Sequence, residues 1–161
     1  MLRNSRDIFI GVNCGIRDGA RLEVLDWDGQ GERPRLEIGD GSSMEQGAHI
    51  VCRQRVIIGR NVALAANCSV VDADHHYQDV EVDQSVGTHF QEGPSFVEIG
   101  DRAFLGVGVV VLPNVRIGTH CVVGANSVVT KSLPDYSVCA GAPAKVVRRY
   151  DSAKKEWVRS N

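Results

Sequence analysis

The 161-residue chain has no apolar run approaching the roughly 20 residues that a membrane-spanning helix requires. It also lacks a surplus of either charge, because 18 Lys and Arg residues stand against 20 Asp and Glu residues, a formal net charge of −2. Such a balance argues against nonspecific attraction to nucleic acid or to a bilayer surface. Residues 1–7 lack the apolar stretch of a signal peptide. We therefore expect a small soluble protein in the cytoplasm, with no nucleic-acid partner and no membrane span.

The cysteines do not suit a disulfide framework, because there are five of them, an odd number. Cys14, Cys68 and Cys121 fall at small-residue positions of the repeat described next, so we expect reduced and buried thiols there. Nothing in the sequence marks Cys52 or Cys139 as a nucleophile.

The usual periods of secondary structure are missing as well: apolar residues recur neither at helical spacings of three and four nor in alternation. Instead, an aliphatic residue recurs every six positions, with a small or β-branched residue four places after it. Six consecutive units begin at Ile99, Leu105, Val111, Ile117, Val123 and Val129. Nine more lie upstream, led by Ile10, Ile16, Leu22, Ile38, Met44, Ile50, Ile58, Leu64 and Val70. A short fixed period indicates a solenoid, in which each copy buries its apolar residue against the copies above and below.

Three hexapeptides per coil would stack residues that are eighteen apart. The expected stacks pair Ile99 with Ile117, Leu105 with Val123, and Val111 with Val129. Glycine and asparagine recur between the units, where left-handed or tight backbone turns favour them. The sequence therefore predicts an all-β fold, a single-stranded parallel β-helix in the form of a triangular prism.

The period breaks at three places. Leu22 and Ile38 are sixteen residues apart, which predicts a protruding turn around residues 26–34. Ile50 and Ile58 are eight apart, which predicts a small bulge around residues 53–55. The third break inserts a long loop, residues 72–97, with three of the five histidines of the chain. Loops beyond about fifteen residues in compact domains are usually functional or disordered, so we expect the functional site here.

The expected domain organisation is a β-helix domain over residues 1–137, with the loop 72–97 inserted, and a tail over residues 138–161. Within the tail, residues 144–157 offer an incomplete apolar face, and we expect a short C-terminal helix there.

Several segments carry a resemblance to a known family. Residues 61–75, NVALAANCSVVDADH, look like the rung that runs into the catalytic histidine of the hexapeptide-repeat acyltransferases. Residues 104–106, 124–131 and 140–148 are similar to further family segments. The chain thus resembles the left-handed β-helix class, close to the galactoside, maltose and polysaccharide O-acetyltransferases, over most of residues 36–149. The left hand comes from the resemblance alone, since crossovers between parallel strands are normally right-handed.

The resemblance implies direct transfer of an acetyl group from acetyl-CoA to a sugar hydroxyl. His75 occupies the family's catalytic position, where a neutral imidazole would take the proton of the hydroxyl as general base. His76 is the second choice. A carboxylate or a backbone carbonyl usually holds such a ring in the required tautomer. Asp74 and Asp72 are candidates for that role, although each could equally be a turn residue that bonds its own backbone.

The resemblance also implies binding residues and partners. Positions matching those that bind acetyl-CoA are Phe104, Gly106, Ala125, Thr130, Lys131, Lys145 and Arg148. Residues expected to meet the acceptor sugar are Glu45, His76 and Tyr77. Phe104 stands where the galactoside enzymes have Trp, and the amino-terminal helical region of the maltose and galactoside enzymes is missing. The shorter polysaccharide branch is therefore favoured, with a surface glycan or its precursor as acceptor, no metal, and a homotrimer with its active sites between subunits.

Two alternatives come from other functional classes. A zinc enzyme of the γ-carbonic-anhydrase type uses the same solenoid, but its site needs two histidines five residues apart. No such pair occurs among His49, His75, His76, His89 and His120. The chain could also be a non-catalytic β-helix scaffold, since a fold alone does not fix a function. A scaffold would leave the loop histidine unexplained.

Overall fold

The computed structural model describes residues 1–27, 29, 31–78, 80 and 85–160. Over these residues the chain winds through three sheets. Up to β16 every third strand joins the same sheet, and the last three strands all join the third sheet. The first sheet contains β1 (Leu2–Arg3), β4 (Arg21–Val24), β7 (His49–Cys52), β10 (Ser69–Val71), β13 (Val110–Val111) and β16 (Val128–Val129). The second contains β2 (Ile8–Ile10), β5 (Arg35–Ile38), β8 (Arg55–Ile58), β11 (Phe96–Ile99) and β14 (Val115–Ile117). The third contains β3 (Gly15–Ile16), β6 (Ser43–Met44), β9 (Ala63–Leu64), β12 (Phe104–Leu105), β15 (Val122–Val123), β17 (Ser137–Ala140), β18 (Lys145–Asp151) and β19 (Glu156–Arg159).

The stacking predicted from the period of six is confirmed. Ile99 pairs with Ile117, Leu105 with Val123 and Val111 with Val129, in parallel register throughout. Each leader points into the prism and is buried from the second coil onward. Ile10 and Ile16 in the first coil stay 42% and 40% exposed, because no coil lies above them.

The corners confirm the need for asparagine and glycine, for two different reasons. Asn61 and Asn126 take left-handed φ values of 53° and 57°. Gly118 has no such φ, but a Cβ there would lie 2.3 Å from the backbone nitrogen of Asp135 in the next coil. The close stacking of coils excludes a side chain at this corner.

The three predicted breaks are present. The first connects β4 to β5, and Asp28 and Gln30 within it lie outside the described residues. Arg53 and Gln54 form the bulge between β7 and β8. The long loop joins β10 to β11, contains a 3-10 turn at Val86–Thr88, and ends at residue 95, since β11 begins at Phe96. Positions 79 and 81–84 of this loop also lie outside the described residues.

The expected C-terminal helix is wrong. β17 instead pairs in parallel with β15, and residues 145–159 form an antiparallel extension of the third sheet, in which β18 pairs with β17 and β19 pairs with β18. The edge of β17 offers unpaired backbone groups, which a strand satisfies and a helix would leave open. Aromatic and β-branched residues favour the strand, and Tyr150 packs edge-on against Trp157 across the hairpin, with ring centroids 5.5 Å apart.

The cysteines are thiols, as expected, and all but Cys14 are buried. Burial raises the pKa of Cys52 to about 12, so this thiol is not an activated nucleophile. Among the described residues, no helix is long and apolar enough to cross a membrane.

Candidate active site

The two arms of the long loop meet at His75. A backbone bridge pairs His75 with Phe90 in antiparallel fashion. The N–H of His76 donates to the carbonyl of His89 at 3.0 Å, and the N–H of Gln91 donates to the carbonyl of Asp74 at 2.9 Å. The outgoing arm (residues 74–76) and the returning arm (residues 89–91) therefore form a short ladder at the point where the chain has left the prism.

The imidazole of His75 is half-buried and has two contacts with the returning arm. Its ring stacks on Phe90, with 4.9 Å between centroids. Its Nδ1 lies 3.3 Å from the carbonyl oxygen of His89. A carbonyl oxygen only accepts, so this hydrogen bond requires Nδ1 to carry the proton of the neutral ring. The remaining nitrogen, Nε2, then keeps its lone pair and is able to act as a base.

Neither candidate carboxylate contacts the imidazole through a hydrogen bond given by the structure. Oδ1 of Asp74 accepts the backbone N–H of His75 at 2.9 Å, which is a turn contact. Asp72 is fully buried and accepts the backbone N–H groups of Arg53, Gln54 and Arg55. Burial raises the pKa of Asp72 above its ordinary value, against the opposing effect of these N–H groups. The expected role of Asp74 in holding the ring tautomer stays a prediction.

The bulge at residues 53–55 holds the returning arm, a function that the sequence did not reveal. Arg53 donates a hydrogen bond to the carbonyl of Gln91, and its guanidinium carbon lies 5.3 Å from the Phe90 ring centroid. Gln54 donates to the carbonyl of Gly93 at 3.0 Å and accepts the N–H of Ser95 at 2.8 Å. The available signal was the eight-residue interval between Ile50 and Ile58, which locates the bulge but not its contacts.

The residues expected to meet the acceptor sugar lie at opposite ends of the strands of the first sheet. His76, adjacent to His75, has Nδ1 3.4 Å from Oε1 of Gln91, and Tyr77 is 65% exposed. Glu45 lies at the corner that leads into β7, 3.8 Å from the guanidinium of Arg17. His75 follows the other end of β10, the neighbour of β7. A single chain therefore does not bring Glu45 to His75.

The residues expected to bind acetyl-CoA also form two groups. The group on the third sheet and its corner consists of Phe104, Gly106, Ala125, Lys145 and Arg148. Thr130 and Lys131 follow β16, at the edge of the first sheet from which the His75 loop departs. Gly106 is buried, and a Cβ there would lie 2.8 Å from the nitrogen of Ala125. Coil stacking therefore accounts for this glycine, while the other residues of both groups are exposed.

Two further features bear on the site. A cavity of about 580 Å³ lies between the 26–34 turn and strands β8, β11 and β14; Arg53 lines it, but His75 does not. Among the residues that the structure describes, no three His, Cys, Asp or Glu side chains are grouped so that they could hold a metal ion.

Comparison with known proteins agrees with the geometry. The family model of the bacterial transferase hexapeptide (six repeats) matches residues 96–131. WbbJ of Escherichia coli (strain K12), provisionally assigned as a lipopolysaccharide biosynthesis O-acetyl transferase, is 32% identical over 163 residues, which cover 99% of this chain and 80% of WbbJ.

Solved structures share the fold. A maltose O-acetyltransferase from Clostridium difficile 630 is 24% identical, with a TM-score of 0.72, over 91% of this chain and 72% of that one. A hexapeptide-repeat containing acetyltransferase from Vibrio cholerae, complexed with acetyl coenzyme A, is 21% identical, with a TM-score of 0.73, over 92% of this chain and 74% of that one. The chain is a left-handed parallel β-helix and belongs to the hexapeptide-repeat acyltransferase family.

Proposed function

We propose that this protein transfers the acetyl group of acetyl-CoA directly to a hydroxyl of a sugar in a surface polysaccharide or its precursor. Membership of the acyltransferase family, the likeness to WbbJ and the acetyl coenzyme A bound to the Vibrio cholerae protein support the reaction and its donor. The observation that carries the proposal is the contact of His75 Nδ1 with the carbonyl of His89, which leaves Nε2 as a base beside the loop entrance.

In the proposed reaction, Nε2 of His75 accepts the proton of the acceptor hydroxyl while the hydroxyl oxygen attacks the thioester carbonyl carbon. The carbon–sulfur bond then breaks, and the thiol of coenzyme A leaves with the proton returned by the imidazolium. A positioned base of this kind typically contributes about 10²- to 10⁴-fold to the rate. The His89 carbonyl accepts from Nδ1–H throughout, so it favours the imidazolium that forms.

The acetyl-CoA site proposed for this chain uses the two exposed groups described above. Lys131, Lys145 and Arg148 would meet the phosphates, because ammonium and guanidinium groups form charge-assisted hydrogen bonds with them. Phe104 supplies an aromatic surface that is 45% exposed. Ala125, at the corner between the two sheets, presents little side-chain bulk to an arm lying against the backbone.

We also propose a homotrimer, based on the outward faces of the three sheets. The second sheet presents an ion-pair ladder to solvent, in which Glu98 contacts Arg116 at 2.6 Å and Arg55 at 3.8 Å. The first sheet also carries ion pairs, of Arg21 and His49 with Glu23. In addition, the first and third sheets present aliphatic and aromatic residues: Val51, Val71, Val110 and Val128, and Phe104, Val122 and Val138. Apolar patches of this kind mark interaction surfaces. Packing these two faces about a threefold axis would place Glu45 of one subunit near His75 of the next.

The likeness to WbbJ, which aligns with nearly the whole chain, supports the proposed acceptor class. Lipopolysaccharide synthesis supplies sugar hydroxyls on carrier-linked precursors, and acetyl-CoA is a cytoplasmic metabolite, so we propose that the protein acts in the cytoplasm.

The test is a screen of sugar acceptors with acetyl-CoA, in which released thiol is measured and the product is weighed by mass spectrometry. We expect one class of glycan to gain an acetyl ester, and His75→Gln to abolish the gain while the protein keeps its oligomeric mass. If no sugar raises thiol release above the rate of acetyl-CoA hydrolysis, the proposal is wrong and a scaffold role is favoured. An acetyl amide in the product would move the acceptor to amino sugars.

A further inference from the structure

The acceptor that sets the tautomer of His75 is a main-chain carbonyl, so its position depends on what holds residues 89–91. Two contacts come from the outgoing arm, residues 74–76. That arm belongs to the same loop, so these two contacts alone do not fix the returning arm relative to the coils. A contact with the prism itself is needed to fix the carbonyl of His89 relative to the coils.

Arg53 makes that contact. It is half-buried at the end of β7, and it reaches two consecutive residues of the returning arm: it donates to the carbonyl of Gln91, and its guanidinium lies 5.3 Å from the Phe90 ring centroid. The planar guanidinium presents several N–H donors in a fixed arrangement and also favours the face of an aromatic ring. Phe90 is in turn the ring on which His75 stacks.

The backbone of Arg53 is itself held in place. Its backbone N–H is bound by the carboxylate of Asp72, which is buried and also binds the N–H groups of Gln54 and Arg55. Asp72 begins the loop that carries His75 three residues later. One buried carboxylate therefore anchors both the start of the outgoing arm and the backbone of Arg53, whose side chain holds the returning arm.

We propose that Arg53 is a positioning residue for His75: it fixes the returning arm so that the carbonyl of His89 keeps the proton of the neutral ring on Nδ1. The inference rests on the proposed function, in which Nε2 of His75 is the base. A purely structural Arg53 would keep the loop folded without affecting which ring nitrogen carries the proton.

The first experiment reads the tautomer directly. Ring ¹⁵N chemical shifts of His75 are measured by NMR in the full-length protein with ¹⁵N-labelled histidine, and the signals are assigned with His75→Gln. We expect the Nδ1–H form in the wild type. Arg53→Ala should shift the population toward the Nε2–H form, and Arg53→Lys, which keeps a charged donor, should shift it less. Arg55→Ala is the matched control, because Arg55 directly follows the bulge as the first residue of β8, and its exposed side chain pairs with Glu98.

The second experiment reads the consequence for turnover. Arg53→Ala should lower kcat about 10- to 100-fold, as expected for a base displaced by about 1 Å, and leave the KM for acetyl-CoA unchanged. Arg53→Lys should recover part of kcat, and millimolar guanidinium should raise kcat of Arg53→Ala but not of Arg55→Ala. Circular dichroism and thermal melts confirm that the variants are folded.

The proposal is overturned if the tautomer of His75 in folded Arg53→Ala matches that of the wild type, or if Arg55→Ala changes it equally. The NMR result requires no turnover, so it separates the two ideas. If the wild-type protein is inactive but its His75 tautomer changes as expected in Arg53→Ala, the proposed function is contradicted. If the protein is active but its His75 tautomer is the same in Arg53→Ala, only this inference is contradicted.

Discussion

The imidazole of His75 lies nearly flat against the ring of Phe90, with 27° between the ring planes and 4.9 Å between their centroids. The residue before Phe90, His89, contributes the carbonyl that faces Nδ1. The returning arm of the loop thus supplies both the surface that supports the ring and the acceptor that selects its tautomer. The hydrogen bonds of the Asp72 and Asp74 carboxylates go to backbone N–H groups instead.

Replacing His75 by Gln should lower kcat about 10²- to 10⁴-fold, because the substitution removes the base without emptying the position. The matched control is His76→Gln, since His76 is adjacent and equally half-buried but its Nδ1 faces Gln91. We expect that control to keep most of kcat, as measured by thiol release from acetyl-CoA, and to change only the KM for the sugar that His76 is expected to meet. Equal losses in both variants would transfer the role of base to the pair or to His76.

Phe90→Leu keeps an apolar side chain under His75 but removes the stacking contact. Aromatic pairs are worth about 0.5–1.5 kcal/mol beyond area burial, so kcat/KM should fall about 2- to 10-fold. Phe96→Leu is the control, because Phe96 is half-buried at the start of β11, outside the loop ladder. Steady-state kinetics on both variants checks the prediction. A larger loss in Phe96→Leu would show that activity depends on the packing where the loop joins β11, rather than on the stack of His75 on Phe90.

Lys145→Ala and Arg148→Ala should each raise the KM for acetyl-CoA about 10- to 150-fold, because a hydrogen bond to a charged group contributes about 1.5–3 kcal/mol. Their effect should shrink as salt is added, since phosphate contacts of this kind are screened. Lys154→Ala is the control: Lys154 lies in the turn of the same hairpin, 3.9 Å from Asp151. Initial rates over a range of acetyl-CoA concentrations decide the point, and an unchanged KM in the first two variants would remove the hairpin from the donor site.

Two aspartates should affect stability with opposite dependence on pH. Asp101 accepts the backbone N–H of Arg60 at 2.8 Å and its guanidinium at 2.9 Å, and these contacts lower the pKa of Asp101. The folded chain then binds this proton more weakly than the unfolded chain, so the stabilisation is lost as the pH falls through the lowered value. Burial raises the pKa of Asp72, so its contribution declines as the pH rises through the raised value.

Asn substitutions isolate the two effects, because the difference in unfolding free energy between wild type and variant cancels the titration of all other acids. The loss of unfolding free energy in Asp101→Asn should shrink on acidification from neutral pH. The loss in Asp72→Asn should grow over the same range. Urea denaturation of wild type and both variants at several pH values measures the two trends. Parallel trends would mean that burial does not dominate the titration of Asp72.

The scaffold was predictable because its physics is local and repeated. Ile99 must stack on Ile117 in any prism built of six-residue units, and the sequence shows both residues. The C-terminal hairpin was not predictable in that way. Neither a helical nor a strand pattern is strong in the segment with Val146, Val147 and Tyr150. The open edge of β17 makes the segment a strand, and that edge is a property of the folded sheet.

The candidate site shows the same division. The break in the period located the loop, and the family resemblance singled out His75. The partner of its ring is the main-chain carbonyl of His89, which has no side-chain signature. Arg53 holds the same arm through the carbonyl of Gln91, which lies 38 residues away in the sequence. Contacts of this kind depend on how the loop returns, and no spacing in the sequence encodes the return path.

The proposed trimer predicts which face of the prism tolerates charge. Val122→Glu would place a carboxylate in the apolar row formed by Phe104, Val122 and Val138, where burial against a neighbouring subunit leaves it without a partner. We expect that variant to become monomeric and inactive while retaining its circular dichroism spectrum. Ile57→Glu on the second sheet is the control, since Ile57 is also half-buried and points outward between charged residues. Multi-angle light scattering gives the mass of each variant. A trimeric Val122→Glu beside a dissociated Ile57→Glu would reverse the assignment, with the ion-pair ladder forming the interface and the valine face exposed to solvent.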